Sequence, residues 1–267
     1  FIALPGPPRE LNPMFENCAT PYLKKKIKSA WTIKTRTINI TGLPESAVDS
    51  KVKDILHSPP PVTVGIFASP SLIELKITAK ARNEKEAKAL IDKMDKKITA
   101  RLKAYIFGRD DETFESVVGN QLRRSRKTLA IAESCTGGLI SNRITDVPGS
   151  SKYFKRGAIA YSNEVKVSAL KVSPQLLKRY GAISRQVATQ MAKNIREIVG
   201  TDYGLGVTGI AGPTGGTRSK PVGLVYIALA APKNTLCCKF NFTGERKIIK
   251  FKTSQAALDM MRRYFLA

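Results

Sequence analysis

The 267-residue chain is 42% hydrophobic and 25% charged, the balance of a globular protein with room for one large domain or two ordinary ones. Its 45 Lys and Arg against 21 Asp and Glu leave a net charge of +24, which favours anionic partners, and no run reaches the roughly 20 apolar residues needed to span a bilayer. Cys18, Cys135, Cys237 and Cys238 lack CxxC spacing and histidine partners, and the one histidine, His57, sits beside a proline-rich loop, so neither a zinc site, a disulfide framework nor a histidine-based triad is expected.

Phe1 to Glu10 reads as a strand-like apolar run dropping into a Pro/Gly turn, followed by a helix from about Glu10 to Tyr22. Without an initiating Met and with little core material, residues 1–31 are expected to be the tail of a preceding domain plus a linker. Residues 32–110 follow as a small α+β unit. Thr32 to Ile40 has strand composition. A helix after Gly42-Leu-Pro-Glu-Ser46 puts Val48, Val52, Ile55 and Leu56 on one face. Val62–Phe67 and Leu72–Ala79 pair about a turn at Ser69–Ser71. A long helix from Glu84 to Ile106 carries Ala87, Leu90, Ile91, Met94, Ile98 and Leu102 at helical spacing. The order β-α-β-β-α predicts a sheet covered on one side. No Gly-x-x-Gly loop of the kind that clamps an RNA backbone joins these helices.

Residues 111–267, after a boundary at Gly108-Arg-Asp-Asp111, alternate between strands and helices. An amphipathic helix spans Glu112 to Arg124. A buried strand over Thr128–Ala132 breaks into Ser134-Cys-Thr-Gly-Gly138, with a helix expected to open near Thr136. Gly157–Ser162 is a second strand, and Asn163 opens the next helix. Ser184 caps a helix to about Val199. Tyr203–Thr208 is a third strand that breaks into the glycine-rich loop Gly209–Gly216. Val222–Ala231 and Leu236–Phe242 are two more strands, and a helix from about Glu245 to Leu266 closes the chain. This pattern predicts an α/β domain layered α/β/α. The charge is uneven: residues 1–112 hold 20 Lys and Arg against 13 Asp and Glu, residues 113–267 hold 25 against 8. Aromatic content of 7% shows no stacking platform for nucleic acid.

Three strand ends of the second unit would neighbour one another at one edge of a sheet, where open α/β folds bind ligands. They deliver Ser134, Cys135 and Thr136, then Tyr161, Asn163 and Lys166, then Thr208 and the glycine loop. Singly each has an ordinary structural reading: a solvated helix lysine, a half-buried strand tyrosine, a small buried cysteine. Together, with no usable histidine, they offer a hydroxyl nucleophile, an amine base and a phenol. A lysine serves as base where burial or neighbouring cations lower its pKa. The glycines Gly137, Gly138 and Gly209 would let a ligand approach the backbone. No Gly-Lys-Ser/Thr follows the Ser134 stretch, so it is not a Walker loop.

Ala132-Glu-Ser-Cys-Thr-Gly-Gly138, Tyr161-Ser-Asn-Glu-Val-Lys166 and Thr208-Gly-Ile-Ala-Gly-Pro-Thr-Gly-Gly216, extended by Lys220-Pro-Val-Gly-Leu-Val225 and Gly244-Glu-Arg246, resemble the signature blocks of the CinA C-terminal domain, the PncC-type nicotinamide mononucleotide amidohydrolases. Ile40-Thr-Gly-Leu-Pro-Glu-Ser46 and Tyr105-Ile-Phe-Gly108 are similar to the KH-like middle domain of full-length CinA proteins, and Leu4-Pro-Gly-Pro-Pro-Arg-Glu10 to the end of their molybdopterin-binding-like domain. The ADP-ribose pyrophosphatase activity associated with that last domain is not assigned to this chain. The resemblance implies hydrolysis of the nicotinamide carboxamide to nicotinic acid mononucleotide and ammonia, without metal or cofactor. Ser134 would be the nucleophile, Lys166 its base and Tyr161 a proton relay. Thr136, Gly137, Gly138, Asn163, Thr208, Gly209 and Arg246 would bind the substrate, with Arg246 on its phosphate. The chain is further expected to be a cytoplasmic homodimer, its thiols reduced, acting on a small anionic nucleotide, with no membrane partner and with nucleic acid kept open as the less favoured partner. The alternative is a basic, non-catalytic nucleic-acid-associated protein of competence or DNA-damage response.

Overall fold

The computed structural model describes residues 1–27, 31–69 and 72–266. Residues 8–26 form a broken helix made of α1 (Pro8–Met14), a π turn (Phe15–Ala19) and α2 (Thr20–Lys26). Pro13 removes one intrahelical donor, and the helix widens just beyond it.

The first sheet is built from β1 (Thr32–Ile40), α3 (Glu45–Leu56), β2 (Val62–Ser69), β3 (Leu72–Ala81), α4 (Glu84–Leu102) and β4 (Ile106–Arg109). Its strands run antiparallel in the order β2-β3-β1-β4. In β3 the residues Ile73, Leu75, Ile77 and Ala79 are buried in alternation with less buried neighbours. That face receives Val48, Val52 and Ile55 of α3 and Ile91, Met94 and Ile98 of α4. Each fully buried aliphatic side chain contributes roughly 1.5–3 kcal/mol. One strand escapes the sequence pattern. Ile106–Arg109, read above as a helix end and a boundary, pairs with β1, because four residues containing a glycine carry too little periodicity to register. Pro70 and Ser71 of the expected turn lie outside the described residues.

The second unit contains α5 (Phe114–Ser125), β5 (Leu129–Glu133), α6 (Leu139–Thr145), β6 (Phe154–Ile159), α7 (Asn163–Leu170), α8 (Pro174–Tyr180), α9 (Arg185–Val199), β7 (Tyr203–Gly209), β8 (Leu224–Ala230), β9 (Thr235–Asn241) and α10 (Arg246–Leu266). The strand order is β6-β5-β7-β8-β9. The strand β5 is parallel to β6 and β7, and β8 and β9 run antiparallel to close the other side. Strand periodicity sorts the two faces. Ala130 and Ala132 pack with Val187, Met191 and Ile195 of α9. Leu129 and Ile131 pack with Phe114 and Val118 of α5 and Leu258 and Met261 of α10. The unit is therefore an α/β/α layer, as its alternation predicts. Helix α9 lies so close to β7 that a Cβ on Gly206 would sit 2.5 Å from both the Ala188 carbonyl oxygen and the Ala192 nitrogen.

The units meet where Phe107 stacks on Phe114, ring centroids 3.8 Å apart, and where the buried Arg262 donates to the Ile106 carbonyl at 3.1 Å. The strand β6 begins earlier than expected and ends before Tyr161. It is an edge strand whose Lys155 and Arg156 face solvent, so its first half lacks an apolar signal. Tyr161 consequently lies in the link to α7, whose N-cap is Ser162.

Candidate active site

The site starts at the end of β5. The Ser134 amide donates to the Val207 carbonyl at 3.0 Å, and the Gly137 amide donates to the Ser134 carbonyl at 3.1 Å. Gly137 and Gly138 then take φ of +61° and +91°, a left-handed path that a side chain disfavours. These two residues reverse the chain, so α6 begins at Leu139 and not near Thr136. Its first N–H groups do not face a ligand. The carboxylate of Glu133, fully buried, accepts from the Ile140 amide at 3.1 Å, the Ser141 amide at 2.8 Å and the Ser141 hydroxyl at 2.7 Å. The N-terminus of α6 is thus satisfied from within the fold and not by an anion in the cleft.

Lys166, on the inward side of α7, is 2% exposed. Its Nζ lies 3.1 Å from Ser134 Oγ, 2.9 Å from the Ala160 carbonyl oxygen and 3.1 Å from the Tyr161 carbonyl oxygen. Burial holds the amine below its ordinary pKa; Cys135 and Glu164 pull weakly the other way. Burial has the opposite consequence for Cys135. Its thiol is pushed up to about 12, with the Glu133 carboxylate adding to the effect. A thiol at an open helix N-terminus would be acidified. Burial, reinforced by the Glu133 carboxylate, keeps Cys135 a thiol, whereas Ser134 holds the contact with the amine.

Ser134, Cys135, Tyr161, Asn163, Lys166, Thr208, Gly209 and Arg246 line one cleft of about 310 Å³, completed by the glycine loop after β7. Thr136, Gly137 and Gly138 do not line it. The turn carries them towards α6, and the Thr136 hydroxyl is buried without a hydrogen-bond partner among the described residues. Thr208 lines the cleft but donates its hydroxyl proton to the Ala182 carbonyl at 2.9 Å, anchoring the loop before α9. Tyr161 is exposed at the rim, and its hydroxyl accepts from Arg246 at 3.0 Å. Arg246, the first residue of α10, also donates to the Gly212 carbonyl at 2.6 Å. The guanidinium thus bridges the two rims of the cleft on neutral oxygens, a cation available to an incoming anion.

Comparison with known proteins decides the family. The CinA C-terminal domain family matches residues 111–265, and the KH domain of damage-inducible protein CinA matches residues 35–108. The chain belongs to the CinA family. A competence-damage inducible protein of Thermoanaerobacter pseudethanolicus is 46% identical over 266 residues, covering 100% of this chain and 64% of the relative. One of Moorella thermoacetica is 45% identical over 263 residues, 98% of this chain and 63% of the relative. The chain thus spans a little under two thirds of the curated relatives it matches. The crystal structure of the competence/damage inducible protein CihA from Agrobacterium tumefaciens superposes with a TM-score of 0.56 at 35% identity, covering 58% of this chain and 94% of that one. A CinA superfamily protein from Escherichia coli gives 0.55 at 28% identity, covering 59% and 92%.

In this CinA chain two groups at the site were absent from the sequence reading. One is Glu133, whose signal is a carboxylate ending an otherwise apolar strand; a charge so placed needs dedicated partners. The other is the pair of main-chain carbonyls at residues 160 and 161 that hold the lysine, which no side-chain pattern reveals.

Proposed function

We propose that the cleft hydrolyses the carboxamide of nicotinamide mononucleotide to nicotinic acid mononucleotide and ammonia. The observation that carries this reading is the 3.1 Å contact of a buried Lys166 Nζ with Ser134 Oγ. A neutral amine has two N–H groups and one lone pair. The carbonyl oxygens of Ala160 and Tyr161 only accept, so they take the two N–H groups. The lone pair is left for the Ser134 hydroxyl proton.

Ser134 Oγ then bonds to the carboxamide carbon as its proton passes to Lys166. The same proton leaves with the C–N bond electrons as ammonia, giving an ester on Ser134. Water attacks that ester, its proton passes through Lys166 back to Ser134 Oγ, and the carboxylate is released. Arg246 binds the nucleotide phosphate by charge-assisted hydrogen bonds, exchanging its neutral acceptors for an anion. Asn163, Thr208 and Gly209 shape the walls that hold the ring. The chemistry uses a lysine and a hydroxyl of this chain and calls on no cofactor.

Incubation of the purified protein with nicotinamide mononucleotide, with ammonia and nicotinic acid mononucleotide measured together, tests the reading. Equal amounts of both products are expected, and none from Ser134→Ala. Absence of ammonia from the parent protein, or equal activity in the variant, would overturn it.

A further inference from the structure

Glu133 immediately precedes Ser134, yet it contributes nothing to the cleft lining. It is a fully buried carboxylate with three donors on one helix turn: the Ile140 amide, the Ser141 amide and the Ser141 hydroxyl. Helix α6 has no other cap, since its N-cap is Gly138 and no side chain bonds its first turn from that position. The carboxylate therefore closes the Ser134–Gly138 turn into a ring between β5 and α6. The same residue reaches the lysine from the other side. Its carbonyl accepts from the Ala160 amide at 2.8 Å, and the Ala160 carbonyl in turn accepts from Lys166 Nζ. The space is built to fit: a Cβ on Gly157 of β6 would lie 2.9 Å from the Ser141 Cβ.

From this arrangement we infer that Glu133 is the positioning residue for the Ser134–Lys166 pair, setting the turn that presents the hydroxyl through its side chain and the carbonyl that holds the amine through its main chain. A carboxylate suits the task because it only accepts, and all three partners donate. An amide of the same shape would aim an NH₂ group at one of those donors.

The kinetic consequence rests on the amidohydrolase reading, so the test has an arm that does not. In Glu133→Gln, kcat for the nucleotide should fall about 10²-fold, the cost of misplacing a reacting group, with KM within about threefold because Glu133 does not line the cleft. Ser141→Ala, which deletes one of the three hydrogen bonds and keeps the carboxylate, should fall by about tenfold or less. Glu133→Asp should recover part of the loss. Independently of any activity, iodoacetamide labelling read by mass spectrometry should modify Cys135 at least about tenfold faster in Glu133→Gln than in the parent, as the turn over the buried thiol loosens. Unchanged kcat with unchanged Cys135 labelling overturns the inference. So does a loss that appears in KM, or one that follows only the folded fraction in parallel unfolding measurements. Faster labelling in a protein without deamidase activity would support the positioning role while removing the amidohydrolase reading.

Discussion

Replacing Lys166 by Met separates catalysis from stability. The thioether fills nearly the same volume and deletes three contacts, at 3.1, 2.9 and 3.1 Å. Each such hydrogen bond is worth about 0.5–1.5 kcal/mol net. Against this loss stands the removal of a buried ionisable amine, whose pKa burial lowers from 10.5. The sign follows from proton linkage. Between the lowered folded value and 10.5 the unfolded chain binds more protons, so wild-type stability from this residue rises with pH across that interval. The burial penalty is fully present below it. Lys166→Met carries no such penalty and should gain on the parent as pH falls, with the two within about 2 kcal/mol near neutrality. Activity should behave quite differently. With the base gone, kcat should drop by about 10³-fold or more. In the parent protein kcat/KM should rise with pH as the amine loses its proton, with an inflection below 10.5. Ammonia release and urea unfolding across the pH range measure both. A variant that keeps more than about a tenth of the parental kcat, or one that loses relative stability as the pH drops, would refute the reasoning.

Other substitutions probe the remaining contacts. Cys135→Ala should stay within about tenfold of parental kcat, since a thiol pushed up to about 12 contributes packing and no nucleophile; steady-state assays decide. Arg246→Ala should cost roughly 10–100-fold in kcat/KM for the phosphorylated substrate, the range of a lost charged hydrogen bond. It should cost far less for the riboside that lacks the phosphate. Tyr161→Phe deletes only the hydroxyl that meets Arg246, so its effect should be largely absorbed in the Arg246→Ala background; full additivity in a double-mutant cycle would argue for an independent role. Gly206→Ala should destabilise by about 1–3 kcal/mol through overpacking, seen in urea unfolding, because its Cβ would lie 2.5 Å from the Ala188 carbonyl oxygen.

Much of the catalytic unit is legible in the chain. The apolar run before Ser134, the helix opening at Asn163, the Ser184 cap and the glycine break after Thr208 mark element ends directly, and sequence blocks sharing a sheet edge bring Ser134, Lys166 and Thr208 together. What is not legible depends on where a chain reverses and on what fills a donor. Two left-handed glycines turn Thr136, Gly137 and Gly138 out of the cleft lining, and no local pattern distinguishes that from a helix opening three residues earlier. Tyr161 reads as a strand residue near a lysine, but β6 ends early, and its hydroxyl meets an arginine 85 positions away. Glu133 hides because its role is to satisfy amides, and amides carry no residue-specific signal.

In the proposed reaction Ser134 carries the acyl group of the nucleotide during turnover. Rapid quenching of the protein with nicotinamide mononucleotide, followed by peptide mass spectrometry, addresses it directly. An ester is expected on the peptide that contains Ser134, located on the serine, formed within one turnover and abolished in Ser134→Ala and Lys166→Met. An adduct on Cys135, or steady ammonia release with no acyl-serine at any quench time, would contradict it.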